Sequence, residues 1–527
     1  AGELPSEEMY MSGRSLLPLT ISLALKLADA FDGDLAISFS GGVDALTVAD
    51  ILKTGIQPIT VATTVLKPGG PQRFQQLADE AVKVMSDAGP IDLAALRELV
   101  GRFMADPIFH KRYREKFPSR KTTSALPLTD CFKAPCEHGG CPIEQQIPEY
   151  LTLTAQGRYA EAFNVIALDN TAPTINGVLC AQDCRPKCTR LDYDQSIHIR
   201  SVKLVASDHA QDEFSKAQVA PALVTDKKVA IIGAGPAGIG AAIFLRRNGV
   251  DVEVFEKLDG PYGVVNYIIP KFRISTEQIM RDFRLAEDLG ITFHFNCDPN
   301  FDVAELQKTY SHVIVATGAW GKCPTPVREG GELLVDAFDF LWQSINEGGF
   351  PCGKTVAVIG AGDVAMDCVR TAARTPGVER AFIVYRRNEA NMPALQEEVN
   401  TVREEGLEMI QLVAPLTYDG KVLHCEVMRL EGRDASGRRA MVGTGEFVDF
   451  EAETVVAATG ATVIREPYER NGIALDDRGR IVLDADFQSS RPGVFVIGDG
   501  RKGPSTIVQA VADAKVAARA IMREVGV

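Results

Sequence analysis

The sequence contains no run of about 18 or more uncharged apolar residues, the length that a helix needs to cross a bilayer. Its first residues, AGELPSEEMYMSGR, lack the basic stretch and apolar core of a secretory signal, which predicts a cytoplasmic location. Lys and Arg form no run, and the net charge is −14, so no nucleic-acid partner is expected. The seven His residues show no metal-ligand spacing. We therefore expect no membrane span and no histidine metal centre.

The length of 527 residues exceeds what one hydrophobic core supports, about 250 to 300 residues, so the chain should hold several domains. Apolar residues make up 46% and charged residues 24%, which is ordinary for a globular protein. Burial of a sizeable core is therefore not limiting.

Six of the eleven cysteines fall in two short patches. They are Cys131, Cys136 and Cys141, five residues apart, and Cys180, Cys184 and Cys188, four residues apart. Neither patch has the C-x2-C pair that zinc sites favour, whereas thiolates in threes on loops suit iron–sulfur clusters. We predict iron–sulfur ligation, with zinc binding and structural thiols as the alternatives. The scattered remainder is predicted to be inert: Cys297, Cys323, Cys352, Cys368 and Cys425.

A dinucleotide-binding motif follows Asp226. A short apolar strand there leads into a G-x-G-x-x-G turn formed by Gly233, Gly235 and Gly238, then a helix and a second strand that ends at Glu256. The glycines allow a tight turn and close approach of a pyrophosphate to the helix N-terminus, and the acid can bind ribose hydroxyls. This context predicts a nucleotide site rather than an ordinary glycine-rich turn.

The motif returns as G-x-G-x-x-A, with Gly360, Gly362 and Ala365. Here the second strand ends at Tyr385-Arg386-Arg387 instead of an acid. A carboxylate would repel a 2′-phosphate, whereas guanidinium groups bind it with charge-assisted hydrogen bonds. The second site should therefore prefer NADPH, unless both arginines are simply solvated surface charges.

The C-terminal segment completes the first site in this interpretation. A strand there leads to Gly498 and Asp499, then a Gly-Pro-Ser turn ending at Ser505, and a long helix that begins near Thr506. Asp499 can bind ribitol hydroxyls, and the helix N-terminus can face the flavin end of FAD.

Together these motifs resemble the two-dinucleotide-binding flavoproteins, in particular the group of the glutamate synthase small subunit and the amino-terminal half of dihydropyrimidine dehydrogenase. The resemblance runs from about Leu128 to the C-terminus. PYGVVNYIIPKFRI (261–274) looks like the family's flavin-ring segment, and VYRRNEANMPA looks like its NADPH-phosphate loop. The resemblance implies FAD, NADPH and two 4Fe–4S clusters, with an electron-acceptor subunit or domain as partner. It is closest to the selenate reductase subunit family, which adds a barrel-like region.

The implied fold class is α/β, with two Rossmann-like domains preceded by a helical iron–sulfur domain and a β/α-barrel-like region. The expected domains are residues 1–110 (barrel-like), 111–222 (iron–sulfur), 223–323 and 450–527 (FAD) and 324–449 (NADPH). Residues 1–110 look like the last two units of a barrel, where a turn such as Ser40-Gly41-Gly42 could bind phosphate. Two units cannot close an eight-stranded barrel, so we hypothesise that the earlier units are missing or lie elsewhere.

The resemblance also implies the cluster ligands. One cluster would take Cys131, Cys136 and Cys188, and the other Cys141, Cys180 and Cys184. The family's fourth ligands correspond to Leu128 and to a position near Lys203, which cannot serve. Asp130 for the first cluster, and Gln195 or His198 for the second, are candidates, or one cluster is a labile or 3Fe–4S form.

The expected function is transfer of a hydride from NADPH to FAD and of single electrons through the clusters to an acceptor. Hydride transfer to flavin needs no general acid or base, so no catalytic residue is assigned. Cys297 and Cys323 do not form the close pair that a disulfide reductase needs. The alternatives are a non-catalytic assembly subunit, or the electron-input module of a glutamate synthase-like or pyrimidine-reducing enzyme; the terminal acceptor and the oligomeric state stay open.

Overall fold

A computed structural model describes residues 13–66, 72–85, 89–106, 109, 134–192, 195–433 and 439–527. The chain divides into two compact units. The first comprises the described residues up to Thr152 together with Gln182–Ile199, and the second comprises Leu153–Ala181 and Arg200–Val527. Residues 111–222 are thus shared between the units, and the five domain boundaries expected from the sequence stay predictions. No helix within the described ranges is both long and apolar enough to cross a membrane, and a cytoplasmic location stays a prediction.

The first unit contains two short strands and five helices among its described residues. They are α1 (Leu17–Ala30), β1 (Phe39–Ser40), α2 (Val48–Leu52), β2 (Ile59–Thr60), α3 (Thr63–Leu66), α4 (Gln72–Val82) and α5 (Leu93–Ala105). A further helix, α6 (Ile147–Ala155), begins in this unit and ends in the second.

Two strand–helix pairs form the core of this first unit. Strands β1 and β2 pair in parallel, with Phe39 opposite Ile59. Helix α1 buries Leu17, Ile21, Ala24 and Ala28, the spacing of one helix face, against this pair and α5. Parallel strands joined by helices agree with the predicted barrel-like units.

The glycines after β1 are required by packing within the chain. A Cβ on Gly41 would lie 2.5 Å from Thr20 Cγ2, and one on Gly42 would lie 2.4 Å from the Gly13 carbonyl oxygen. Both glycines have positive φ, 150° and 86°. Close packing therefore explains this turn without a bound phosphate.

The second unit is built on two parallel sheets. Its helices are α7 (Tyr159–Asp169), α8 (Pro173–Leu179), α9 (Ile199–Ala217), α10 (Pro236–Arg247), α11 (Val264–Tyr267), α12 (Thr276–Glu287), α13 (Val303–Leu306), α14 (Ala337–Asn346), α15 (Asp363–Arg374), α16 (Gln396–Glu404), α17 (Glu466–Arg470), α18 (Asp499–Lys502) and α19 (Ile507–Val525). Its strands are β3 (Lys228–Ile232), β4 (Asp251–Phe255), β5 (Thr292–His294), β6 (His312–Val315), β7 (Gly321–Lys322), β8 (Val335–Asp336), β9 (Thr355–Ile359), β10 (Arg380–Tyr385), β11 (Glu408–Gln411), β12 (Val413–Tyr418), β13 (Val422–Arg433), β14 (Arg439–Glu451), β15 (Thr454–Ala457), β16 (Ala461–Thr462) and β17 (Val494–Val496).

The strand orders show how one nucleotide-binding module interrupts the other. The first sheet has the order β17-β6-β3-β4-β5, and the second has the order β11-β10-β9-β15-β8. The whole second sheet lies between β6 and β17 in sequence. Strands β3 and β9 are central and buried after their first residue, which is why they read as continuous apolar runs. The predicted pair of Rossmann-like modules, one inserted in the other, is confirmed.

A buried carboxylate anchors α8, the short helix that leads to Cys180. Asp282 Oδ1 accepts hydrogen bonds from the Thr174 amide (3.0 Å) and Gln211 Nε2 (2.7 Å), and Oδ2 accepts one from the Ile175 amide (2.7 Å). The side chain is fully buried, and burial raises its pKa to about 6 against the opposing effect of these bonds. Asp282, on α12, thus satisfies amides that the first turn of α8 cannot pair within the helix.

We expect Asp282→Ala to lower the free energy of unfolding by about 2 to 4 kcal/mol, because buried amides lose their acceptor. The control is Asp212→Ala on α9, whose ion pair with Arg281 is exposed and should contribute less than about 1 kcal/mol. Chemical denaturation of both variants measures the difference.

The same variant should show a pH signature. Because the Asp282 pKa is raised to about 6 in the folded state, folding favours its protonated form, and its contribution to stability falls as pH rises from about 4 through 6. The loss caused by Asp282→Ala should therefore be about 1 kcal/mol larger at about pH 5 than at about pH 7.5. A pH-independent difference would contradict this assignment.

Candidate functional site

The first glycine turn joins β3 to α10. A Cβ on Gly233 would lie 2.5 Å from the Ala316 carbonyl oxygen, and one on Gly238 would lie 1.9 Å from the Gly233 carbonyl oxygen. A Cβ on Gly235 would meet no atom within 4 Å. Gly235 has φ of −74°, a value open to any residue. The chain's own packing thus demands Gly233 and Gly238, whereas Gly235 faces the open space that a ligand would occupy.

The acid after β4 is held at the edge of this turn. Glu256 Oε2 accepts a hydrogen bond from the Ala234 amide (2.6 Å), and Oε1 accepts one from the Leu258 amide (2.9 Å). The side chain is buried. Each carboxylate oxygen retains acceptor capacity, so Glu256 can bind ribose hydroxyls in a fixed orientation.

The C-terminal acid is oriented by the turn that follows it. Asp499 Oδ1 accepts hydrogen bonds from the Ser505 amide (2.9 Å) and hydroxyl (2.7 Å). Burial raises the pKa of Asp499, and the two Ser505 bonds oppose that rise. Gly498 before it has φ of 65°, and α19 begins directly after this turn with Thr506 as its N-cap. Ser505 therefore fixes one oxygen of Asp499 and leaves the other to a ligand.

The second glycine turn, between β9 and α15, has the same form as the first with one difference. A Cβ on Gly360 would lie 2.2 Å from the Ala458 carbonyl oxygen, whereas one on Gly362 would meet no atom within 4 Å. Ala365 is fully buried against the turn, 3.5 Å from the position of that Gly360 Cβ. The second turn therefore has room for the methyl group of Ala365, whereas the corresponding position in the first turn, Gly238, has none.

Backbone and side-chain bonds fix the loop after β10. Arg386 is exposed and Arg387 is buried, and both reach the cavity described below. The Leu395 amide donates to Asp363 Oδ1 (2.9 Å), and the Ala394 amide donates to the Ala361 carbonyl (3.2 Å). The arginine loop is thus tied to the second glycine turn.

One cavity of about 1610 Å³ joins the two turns. It is larger than the roughly 300 to 1,000 Å³ typical of a pocket for one small molecule. Ten of the twelve residues predicted to bind cofactors line it: Gly233, Gly235, Glu256, Gly360, Gly362, Arg386, Arg387, Gly498, Asp499 and Ser505. The other two, Gly238 and Ala365, pack inside the turns. Such a shared cavity is what direct transfer between two dinucleotides requires.

Sequence reasoning missed a group of polar residues that line this cavity. Arg273 and Asp367 line it and form an ion pair, and Lys257 lies 4.7 Å above the ring centre of Trp320. The i,i+4 spacing of Asp363 and Asp367 was the available signal, since it puts both acids on the cavity face of α15.

The predicted cluster ligands are only partly described. Cys131 lies outside the described residues, as do Leu128 and Asp130. Cys136, Cys184 and Cys188 are buried, and Cys141 and Cys180 are half-buried. Within the described ranges, no three His, Cys, Asp or Glu side chains gather as a metal site would need. Cys180 belongs to the second unit and the other described candidates to the first, so the proposed ligand sets stay predictions.

The candidate fourth ligands differ in exposure. Gln195 and His198 are exposed, whereas Lys203 is buried. Neither Gln195 nor His198 is therefore held by packing in a ligand position. Their assignment stays a prediction.

The surroundings of Cys180 are defined. Leu179 and Ala181, its neighbours in sequence, line the same cavity as the glycine turns. The Cys180 carbonyl accepts a hydrogen bond from Arg200 Nη1 (3.2 Å), and Arg200 Nη2 contacts Glu397 on α16 (2.7 Å). The end of α8 is therefore fixed at the cavity wall.

Comparisons with known proteins agree with this geometry. The family described as pyridine nucleotide-disulphide oxidoreductase matches residues 227–514. The chain is also 34% identical to the glutamate synthase [NADPH] small chain of Escherichia coli strain K12, over 72% of this chain and 87% of that protein. The chain belongs to this family of FAD- and iron–sulfur-containing NAD(P)H oxidoreductases.

Two further family descriptions match the N-terminal part of the chain. Dihydropyrimidine dehydrogenase domain II, 4Fe–4S cluster, matches residues 109–214, and oxidoreductase YgfK, N-terminal TIM-barrel domain, matches residues 1–111. The predicted family and fold class are confirmed, as are nucleotide-binding domains of the FAD and NAD(P) type and a 4Fe–4S domain. The number of clusters is not.

Similarity to YgfK extends over nearly the whole chain. The chain is 40% identical to YgfK of Escherichia coli strain K12 over 99% of its own length, and this match covers 51% of YgfK. It thus spans about half the length of that relative. The solved structure of Mycobacterium tuberculosis FprA in complex with NADPH shares the fold, with a TM-score of 0.50, 21% identity, and coverage of 57% of this chain and 85% of FprA.

The open glycines provide a test of ligand placement. We expect Gly235→Ala to weaken FAD binding at least about tenfold, because its methyl group fills ligand space, while the melting temperature of the apoprotein changes by less than about 2 °C. Gly362→Ala should keep FAD and weaken NADPH binding instead. Flavin fluorescence titration and NADPH difference spectra measure both.

Gly101→Ala is the matched control, since its Cβ would also meet no atom and it lies on α5, which belongs to neither turn. It should leave both affinities unchanged. Wild-type FAD affinity in Gly235→Ala would show that no ligand approaches this turn.

Proposed function

We propose that this chain is an NADPH-dependent oxidoreductase that moves a hydride from NADPH to FAD and passes single electrons through two 4Fe–4S clusters to an acceptor subunit or domain. The observation that carries the proposal is the single cavity into which both open glycines face. When bound, nicotinamide and flavin supply hydride transfer, and the flavin with the clusters separates the electron pair into single electrons.

The charges of the two sites support the assignment of FAD to the first site and of NADPH to the second. Glu256 at the first turn suits an unphosphorylated ribose, and Asp499 with Ser505 suits the ribitol chain, so FAD binds at the first site. At the second turn, Arg386 and Arg387 suit a 2′-phosphate, so NADPH binds there.

The chain's residues act on hydride transfer by position and by exclusion of water. Apolar side chains line the cavity between the turns, among them Val264, Ile268, Trp320, Phe338 and Leu341. A cavity wall of this kind limits competing reaction with water and keeps the rings in contact. No proton transfer by a side chain is needed for this step, so the cavity needs no general acid or base.

The electron exit is proposed at Cys180. Its neighbours Leu179 and Ala181 reach the flavin cavity, and Asp282 and Arg200 hold the helix and the carbonyl on either side. The ligand sets proposed from the family are Cys131, Cys136 and Cys188 for one cluster and Cys141, Cys180 and Cys184 for the other. With these ligands, electrons leave the flavin through the segment that contains Cys180.

A second candidate function is the electron-input module of a larger enzyme. The 34% identity with a glutamate synthase small chain over 87% of that protein favours it. In this case the acceptor is a partner subunit that carries its own active site, and the chemistry within this chain is unchanged.

The nucleotide preference should depend on the arginine pair. We expect the double variant Arg386→Gln, Arg387→Gln to raise the KM for NADPH about 10- to 100-fold and to leave the KM for NADH nearly unchanged, since only NADPH carries the 2′-phosphate. Arg429→Gln, an exposed arginine on β13, is the control. Equal effects on both nucleotides would exclude phosphate recognition by this pair.

Anaerobic reduction with NADPH, followed by absorbance and EPR, tests the function. We expect the flavin absorbance to bleach, reduced-cluster EPR signals to appear, and about eight iron atoms per chain. Cys136→Ser should lose iron, whereas Cys425→Ser, at a buried position outside both patches, should keep it. Bleaching without iron or EPR signals would refute the relay, and a flavin that NADPH does not bleach would refute the hydride step.

A further inference from the structure

A buried cluster of charges joins the flavin-ring segment to the second nucleotide module. Arg273 Nη1 lies 3.0 and 2.9 Å from the two carboxylate oxygens of Asp367 on α15, and Nη2 lies 2.5 Å from Glu398 on α16. The three side chains are 12%, 6% and 13% exposed. One guanidinium group therefore binds two carboxylates from two different helices.

The residue before Arg273 makes a second contact with the same helix. The Phe272 ring lies 4.7 Å from the Arg370 guanidinium and 4.4 Å from that of Arg374, both on α15. Glu405 at the end of α16 pairs with both arginines at 2.8 Å. The Phe272-Arg273 dipeptide is thus held by stacked cations and by an ion pair.

Two residues of this cluster border the cavity that both glycine turns line. Arg273 and Asp367 both line the cavity, and Asp367 is one helical turn beyond Asp363, the first residue of α15 after the open Gly362. On the other side, Arg273 lies in the flavin-ring segment (261–274), which also contains the cavity-lining Gly263 and Val264. The ion pair therefore connects the backbone that would carry the flavin ring with the helix that would carry NADPH.

The geometry of this cluster is restrictive. Charges removed from water are stable only with well-placed partners, and breaking one buried pair leaves an uncompensated charge. A guanidinium group presents its donors in a rigid plane, so two carboxylates bound to it have a fixed separation and angle. Lys at the same position would keep the charge but lose this constraint.

We propose that Arg273 is a positioning residue that, through Asp367 and Glu398, sets the approach of the nicotinamide to the flavin ring for hydride transfer. The inference rests on the proposed function, since it concerns how that reaction is aligned. Arg273 acts through the placement of α15 and α16, and the reacting atoms exchange only the hydride.

Anaerobic stopped-flow reduction of the bound flavin tests this proposal. In Asp367→Asn, Glu398→Gln and Arg273→Lys, the limiting rate constant at saturating NADPH should fall at least about tenfold, while the apparent Kd for NADPH changes less than about threefold. With NADPH deuterated at C4, the isotope effect on this rate constant should increase, because misalignment makes hydride transfer more fully rate-limiting. Arg380→Gln, in an exposed ion pair on β10, is the control and should match the wild type.

The outcomes separate this proposal from the function it depends on. If NADPH does not bleach the flavin of the wild-type protein, the proposed function is refuted. If the wild-type flavin bleaches and all three variants keep the wild-type rate constant, only the role of Arg273 is refuted. A rise in Kd with an unchanged limiting rate also overturns it, since the cluster would then serve binding alone. FAD content and melting temperature identify any variant that does not fold, and Glu398→Gln, which retains the Arg273–Asp367 pair, is the mildest of the three.

Discussion

The buried contact of Arg273 with Asp367 and Glu398 connects the flavin-ring segment of the first module with helices α15 and α16 of the second, and Arg273 and Asp367 line the cavity that both modules share. Each sheet positions its own glycine turn, but the distance between the turns depends on what joins the modules. Since α15 begins at the second turn and Arg273 lies in the flavin-ring segment (261–274), this ion pair links the two directly. These charged contacts add to apolar packing between the modules, in which Ile268 shares a core with Phe340 and Leu341 and Tyr267 stacks on Trp342.

The first turn of α16 extends this connection in two directions. Leu395, just before the helix, is bonded to Asp363 at the second glycine turn, and Glu398 is bonded to Arg273. Glu397, between them, is bonded to Arg200, which also holds the Cys180 carbonyl. Three of the four consecutive residues 395–398 therefore contact the second glycine turn, the flavin-ring segment and the arginine that holds the Cys180 carbonyl. A ligand that moves α16 would shift all three of these sites, because the contacts are buried or short and leave few alternative arrangements.

The sequence predicted those parts of the fold and site that depend on local residue patterns. The glycine turns, the strand ends at Glu256 and Arg386 and the turn at Asp499 each lie within a few dozen residues, so spacing alone located them. The contacts missed are long-range: Asp282 meets Thr174 108 residues away, and Arg273 meets Asp367 94 residues and Glu398 125 residues away. No periodicity encodes such pairs, and a charged residue on an amphipathic helix reads as a solvated face. The cluster ligands stay predictions, because Cys131 lies outside the described residues and Cys180 lies in a separate unit from the other described candidates.

The glycine motif itself combines two demands that the sequence does not separate. At Gly233, Gly238 and Gly360, a side chain would collide with the chain's own carbonyl oxygens, so these glycines are explained by folding alone. Of the glycines in the two motifs, Gly235 and Gly362 lack any neighbour within 4 Å, as Gly101 on α5 also does, but both of them line the shared cavity. An unrelated turn would need glycine for the first reason but not for the second. Two open glycines in one cavity are therefore stronger support for two bound dinucleotides than the motifs that predicted them.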